Sequence, residues 1–142
     1  MPIAFGYHPY LRLPGVDRGE WEVAVPVREQ LRLDSRMLPT GERAAARVHA
    51  GRLGSRTFDD AFVAPESSAP FVLAGGGRRI EVSLVAGYPF AQVYASADDD
   101  VIAFEPMTAP TNALVDAGPG LPLLAAGESY RATFAITLTG GA

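Results

Sequence analysis

Short runs in which apolar and polar positions alternate recur along the chain, and this period of two is typical of half-buried β-strands. The clearest run is residues 79–85, in which Ile80, Val82 and Leu84 alternate with polar side chains. Further strand-like runs are residues 21–27, 30–34, 61–64, 70–73, 91–95 and 129–138. We therefore predict an all-β, mainly antiparallel fold in which two sheets pack as a β-sandwich.

The segments between these runs predict turns and one helix. Pro39-Thr40-Gly41 is predicted to be a turn, and Gly75-Gly76-Gly77 a hairpin reversal. Residues 42–53 are rich in Ala and Arg and predict a short helix, which Gly54 would end. The last run, residues 129–138, places Tyr130 and every second residue after it on one face, so we expect a long strand that covers a core.

Composition is consistent with one domain over residues 1–142 and excludes several functions. The chain has 15 glycines and 12 prolines, which suits many short strands joined by turns. A net charge of −4 argues against a nucleic-acid partner. The absence of cysteine and the presence of only two histidines disfavour disulfides, thiol chemistry and a metal site. No apolar run has the length of a membrane span, and residues 1–4 do not look like a signal peptide, so we predict a soluble, cytoplasmic protein without a membrane partner.

Glu105 is the first candidate for chemistry. It follows Val101-Ile102-Ala103-Phe104, a short apolar run that predicts a buried strand, and Pro106 and Pro110 should then stop regular structure. Burial at such a strand end would raise the pKa of the carboxyl toward neutral pH, where it can transfer protons. The alternative is a glutamate that ends a strand and faces water.

His8 is the second candidate, and its neighbours favour a sugar ligand. It lies in Tyr7-His8-Pro9-Tyr10. An imidazole titrates near neutral pH and can act as an acid there, while the ring of Tyr10 offers a flat face for the C–H groups of a sugar. The alternative is a packed histidine that donates to a backbone carbonyl. Asp98-Asp99-Asp100 is interpreted as a solvated turn, because its spacing does not match a calcium loop.

Five motifs occur in a fixed order, and together they suggest a family. They are residues 5–11 (FGYHPYL), 38–41 (LPTG), 58–62 (FDDAF), 91–94 (AQVY) and 104–113 (FEPMTAPTNA). In this order the chain resembles the C-terminal half of the aldose 1-epimerases, the galactose mutarotase-like proteins, from about residue 2 to about residue 134. Leu11 stands where that family more often has Phe.

The resemblance implies both a fold and an activity. The fold would be part of a galactose mutarotase-like supersandwich, and the activity would be interconversion of the α and β anomers of an aldohexose such as galactose or glucose, without a cofactor. Glu105 would be the general base at O1, and His8 the general acid at the ring oxygen. Asp59 and Gln92 would bind sugar hydroxyls. Asp60, the neighbouring carboxylate in the same motif, is a further candidate.

Members of that family are about twice as long, which leaves alternatives open. The chain would be a fragment, a truncated product, or a half-domain that pairs with itself as a homo-oligomer or with a second chain that supplies the N-terminal half. The alternative function is a non-catalytic carbohydrate-binding or structural half-domain. A phosphorylated hexose is a less attractive substrate, because no Lys or Arg lies between Arg79 and Arg131.

Overall fold

Two antiparallel sheets pack face to face in the computed structural model, which describes residues 1–47, 49–65, 69–118 and 120–141. This confirms the predicted sandwich. The strands are β1 (Tyr10–Leu11), β2 (Glu22–Val25), β3 (Glu29–Leu33), β4 (Pro39–Ala45), β5 (His49–Arg52), β6 (Phe58–Val63), β7 (Phe71–Gly75), β8 (Arg78–Ala86), β9 (Phe90–Ala95), β10 (Ile102–Met107) and β11 (Thr133–Gly140). A 3₁₀ turn (Arg18–Glu20) and a short helix α1 (Ala113–Asp116) complete the elements.

The sheets have the strand orders β1-β10-β9-β6-β3-β4 and β11-β8-β7-β2-β5. Their inner faces form one core, in which Trp21, Phe71 and Phe104 are the largest fully buried side chains. The rings of Phe71 and Phe104 lie 5.3 Å apart between centroids and join the two sheets. In the ranges described, no helix has the length and hydropathy needed to cross a membrane.

The predicted helix and the predicted turn before it are wrong. Residues 39–45 form β4 and residues 49–52 form β5, while Val48 lies outside the described residues. Ala and Arg favour a helix, but this segment has no apolar stripe that a helix could bury. Pairing to strands that do bury apolar residues therefore prevails, as in the pairs Leu31 with Arg43 and Val25 with His49.

The expectation that Glu105 ends a strand is also wrong. Strand β10 continues through Glu105 and Pro106 to Met107. The fixed φ of proline is compatible with an extended backbone, and the Pro106 carbonyl still accepts a hydrogen bond from the backbone N–H of Tyr7 at 3.2 Å. The proline lacks a donor but leaves the strand intact.

Strand β11 begins at Thr133, four residues later than predicted, and lies at the edge of its sheet. Phe134 packs on the core, as expected. Leu138, paired with Ile80 and therefore on the same inner face, is 71% exposed. The predicted apolar face exists, but within the described chain only its first part covers the core.

Candidate active site

Three central strands of the six-stranded sheet bring the predicted polar residues to one outer face. Glu105 on β10 pairs with Gln92 on β9, and the next row pairs Tyr94 with Asp59 on β6. Paired residues share a face of a sheet. The intervening residues, such as Val93 and Phe104, point into the core, so these four side chains project outward.

His8 contacts Glu105 directly. The distance between His8 Nε2 and Glu105 Oε1 is 3.0 Å, and the two side chains are 43% and 13% exposed. Burial raises the pKa of the Glu105 carboxyl above the ordinary glutamate value of 4.5, the positive charge of His8 opposes this rise, and the negative charge of Asp59 adds to it. A half-buried carboxylate in contact with an imidazole is an arrangement that can transfer protons.

The N-terminal segment reaches this position by running alongside β10. Gly6 forms an isolated bridge with Met107, and Tyr10 pairs with Ala103. A Cβ on Gly6 would lie 2.7 Å from the Pro106 carbonyl oxygen, so only glycine permits this approach. His8 lies between these two attachment points and is thereby held over Glu105.

Aromatic rings surround the imidazole. The ring centroid of His8 lies 4.4 Å from that of Tyr10 and 6.1 Å from that of Tyr94, and the two tyrosines are 6.4 Å apart. Tyr10 is largely exposed, so its ring face is available to a ligand. Tyr94 was not assigned a role from sequence; the register that puts it beside Asp59 was the missing information.

Asp59 and Gln92 form the polar side of the cluster. The Gln92 amide donates to Asp59 Oδ1 at 2.8 Å. This contact fixes both side chains, and the amide oxygen of Gln92 and the second carboxylate oxygen of Asp59 are hydrogen-bond acceptors for ligand hydroxyls. The two residues predicted together are therefore found together.

Asp60 is separated from this cluster by the alternation of the strand. It pairs with Val93, so it points to the inner face, and its Oδ1 accepts a hydrogen bond from Gln30 Nε2 at 2.6 Å. Burial raises the pKa of the Asp60 carboxyl. The contact links β6 to β3, whose ladder contains one paired position, Gln30 with Phe62.

Thr108 positions the segment that carries His8, and sequence reasoning did not single it out. The side chain is fully buried. Its hydroxyl accepts from the Phe5 N–H at 2.9 Å and donates to the Phe5 carbonyl at 3.0 Å. A threonine in a loop motif gives no signal of such a role, because its partner lies 103 residues away.

Replacing Thr108 by valine is expected to destabilise the fold by about 1–3 kcal/mol, because the partly buried Phe5 N–H loses its side-chain acceptor while the shape is kept. Thr108→Ser keeps the hydroxyl and serves as the matched control. Urea denaturation of both variants measures the difference. A valine variant as stable as the serine variant would show that the hydroxyl does not hold this segment.

Comparison with known proteins agrees with the fold and with the family that the motifs suggested. A family model described as Aldose 1-epimerase matches residues 1–137. A solved galactose mutarotase-like protein from Clostridium acetobutylicum is similar with a TM-score of 0.82 at 18% identity, over 99% of this chain and 48% of that one. The galactose mutarotase related enzyme from Lactobacillus acidophilus gives a TM-score of 0.71 at 17% identity, over 98% and 53%.

The chain spans about half the length of these solved structures. At such low identity their likeness establishes the fold alone, and no curated protein sequence matches the chain. The family model covers nearly all of its residues. The chain therefore belongs to the aldose 1-epimerase family.

Proposed function

We propose that the site interconverts the α and β anomers of an aldohexose, galactose and glucose being the first candidates. The observation that carries the proposal is the 3.0 Å contact between His8 and the half-buried Glu105, on the same sheet face as the Asp59–Gln92 pair. Membership of the family supports a sugar substrate.

Anomer interconversion requires one base and one acid that act on two oxygens of the same carbon. The hydroxyl O1 and the ring oxygen O5 are both bonded to C1 of the sugar. A base and an acid in direct contact with each other can therefore reach both oxygens from one side, which is what Glu105 and His8 offer.

In the proposed reaction, Glu105 begins ionised and His8 protonated. Glu105 takes the proton of O1 as the C1–O1 double bond forms, the C1–O5 bond breaks, and His8 donates its proton to O5. The open-chain aldehyde then turns about the C1–C2 bond. On closure the O5 hydroxyl returns its proton to His8, the C1–O5 bond re-forms on the other face of C1, and O1 recovers a proton from Glu105. No proton is gained or lost overall.

The surrounding residues would hold the sugar during this exchange. We assign Asp59 and Gln92 to ring hydroxyls and the ring of Tyr10 to a C–H face of the sugar, because sugars are held by convergent polar groups above aromatic surfaces. Asp60 is assigned a structural role instead, since its contact with Gln30 joins two strands.

The raised pKa of Glu105 predicts a pH dependence with a definite sign. Only the ionised carboxylate accepts the proton of O1, so the rate should rise with pH, and the midpoint of that rise should lie above 4.5. The folded state also holds the Glu105 proton more tightly than the unfolded chain. The contribution of this bound proton to the free energy of unfolding is fully present below pH 4.5. It is lost as the pH increases through the folded-state pKa of Glu105. Rate measurements and urea denaturation over this range test both parts, and a midpoint at or below 4.5 would contradict them.

A sugar-binding half-domain without turnover is the second candidate. It is favoured by the coverage of about half of each matching structure and by the exposure of His8 and Tyr10 on the open side of the cluster. In such a chain, a further copy or another chain would cover the open side of the cluster. This second candidate therefore includes the formation of a homo-oligomer.

Polarimetry on freshly dissolved α-D-galactose and α-D-glucose separates the two candidates. The mutarotase predicts faster decay of optical rotation toward the same end point, in proportion to protein concentration. A decay rate equal to that of buffer, together with saturation transfer from the protein to the sugar protons, would support the binding domain instead.

A further inference from the structure

Ala103 is fully buried although its side chain does not point into the core. It lies on β10 between Ile102 and Phe104, which are both core residues. Because successive residues of a strand point to opposite faces of the sheet, Ala103 faces outward, as Glu105 does. Its exposed fraction is nevertheless 0%. Side chains on the outer face of the six-stranded sheet must therefore cover it.

The strand pairing shows which side chains cover Ala103. It pairs with Tyr10 of β1 on one side and with Tyr94 of β9 on the other. The backbones of strands that are separated by one other strand lie about 10 Å apart. The ring centroids of Tyr10 and Tyr94, however, are only 6.4 Å apart. The two rings therefore lean toward each other over Ala103.

The imidazole of His8 lies against both tyrosine rings. Its centroid is 4.4 Å from that of Tyr10 and 6.1 Å from that of Tyr94. Its Nε2 contacts Glu105, which lies two residues from Ala103 on the same face of β10. We call Tyr10, Tyr94 and Ala103 the imidazole seat, since the two rings adjoin the imidazole and Ala103 lies beneath those rings.

The side chain of His8 needs such a restraint because it is open to solvent on its other side. It is 43% exposed, and its polar contact is the one with Glu105. A histidine side chain has two rotatable bonds, so a single polar contact leaves other rotamers accessible to it. Packing against the tyrosine rings disfavours those rotamers. The negative ring faces also attract the positive charge that His8 carries at the start of the proposed reaction.

Tyr94 is the ring of the imidazole seat that is less available to a sugar. It is half-buried on β9, which lies between β10 and β6. Tyr10 is on the edge strand β1 and is 60% exposed. The ring of Tyr94 contacts the rings of His8 and Tyr10. Its position therefore suits the support of other side chains better than direct contact with a ligand.

From these observations we infer that Tyr94 is a positioning residue, whose ring, above Ala103, holds the imidazole of His8 against Glu105. The effect on rate rests on the proposed function, whereas the restraint on His8 can be observed without turnover. A displacement of about 1 Å can cost about 10²-fold in rate. We therefore expect that removal of the Tyr94 ring lowers kcat by about 10- to 100-fold and changes KM by less than about twofold.

Three variants of the full chain test this role. Tyr94→Leu removes the ring but keeps an apolar side chain, and Tyr94→Phe, which keeps the ring, is its matched control. Ala103→Val leaves Tyr94 in place but adds volume beneath the rings, which should displace them. Polarimetry on galactose gives kcat and KM for each protein, and urea denaturation shows that each protein is folded.

Nitrogen-15 NMR of the His8 ring gives a measurement that does not depend on turnover. The signals of His8 are those lost in His8→Gln. In the neutral ring, a nitrogen that faces the Glu105 carboxylate at 3.0 Å should be the one that carries the proton. The two ring nitrogens of a held imidazole therefore have widely separated shifts. The shifts converge when the ring is free to populate both tautomers.

The inference predicts that kcat falls and the nitrogen shifts converge in Tyr94→Leu and in Ala103→Val, while Tyr94→Phe keeps kcat within about threefold and the shifts apart. A raised KM with unchanged kcat in Tyr94→Leu would make Tyr94 a sugar-binding residue and overturn the inference. An equal loss in Tyr94→Phe would overturn it too, because the hydroxyl would then be responsible.

The same experiment separates this inference from the proposed function. If the unmodified chain turns over no sugar, the proposed function fails, and the nitrogen shifts alone decide the role of Tyr94. Convergence in Tyr94→Leu but not in Tyr94→Phe then supports that role, and shifts that stay apart in Tyr94→Leu overturn it. If Tyr94→Leu does not fold, Ala103→Val decides in the same way.

Discussion

Replacing Glu105 by glutamine is expected to slow anomer interconversion by about 10²- to 10⁴-fold, the usual value of one positioned proton-transfer group. The amide has the shape of the carboxylate and can still contact His8 Nε2, which lies 3.0 Å from Oε1. It cannot accept the proton of O1. The variant therefore separates proton transfer from packing, and polarimetry on α-D-galactose measures the effect.

Glu81→Gln is the matched control for that variant. Glu81 lies on β8 of the five-stranded sheet, which carries none of the candidate site residues, and pairs with Arg79 at 2.7 Å. The Glu81→Gln variant should be as active as the unmodified chain. Equal losses in both variants would point to a general effect of charge, and full activity in Glu105→Gln would remove Glu105 from the mechanism.

Replacing Phe104 by alanine is expected to cost about 3–5 kcal/mol of folding free energy, as other large-to-small changes at buried aromatic positions do. Phe104 is fully buried and its ring packs on Phe71 across the two sheets. Because Glu105 follows it directly on β10, the cavity would also loosen the strand that carries the base. Urea denaturation measures the first effect, and mutarotation below the unfolding transition measures the second.

Leu138→Ala tests whether burial is the cause of that loss. Leu138 is an apolar residue on the inner face of β11, but it is exposed, so truncation should change stability by no more than about 0.5 kcal/mol. Similar losses for both variants would mean that Leu138 is covered in solution, as a homo-oligomer through β11 would require. A Phe104 variant as stable as the unmodified chain would contradict the described core.

Strands with a strict period of two were predictable from sequence. Residues 79–85 lie within β8, with Ile80 and Val82 buried, and residues 91–95 lie within β9. The hairpin reversal at Gly75-Gly76-Gly77 is also confirmed, since Gly76 and Gly77 form the turn with positive φ. In these segments the local pattern and the final pairing favour the same structure.

Other features depend on partners that are distant in the chain. Strand β4 exists because β3 offers it an edge, which composition does not show. Which of Asp59 and Asp60 joins the outer face depends on register, because a shift of one residue exchanges the two faces of a strand. The motif identified the two adjacent carboxylates. Only the pairing of β6 with β9 shows that Asp59 lies on the outer face and Asp60 on the inner face.

The most direct test of the Glu105–His8 proton shuttle is magnetisation exchange between the α- and β-anomer protons of galactose at equilibrium, measured by NMR with and without the chain. A working pair predicts faster exchange in proportion to protein concentration, with an unchanged ratio of the two anomers. An exchange rate identical to that of buffer alone, at protein concentrations where the sugar is bound, would contradict it.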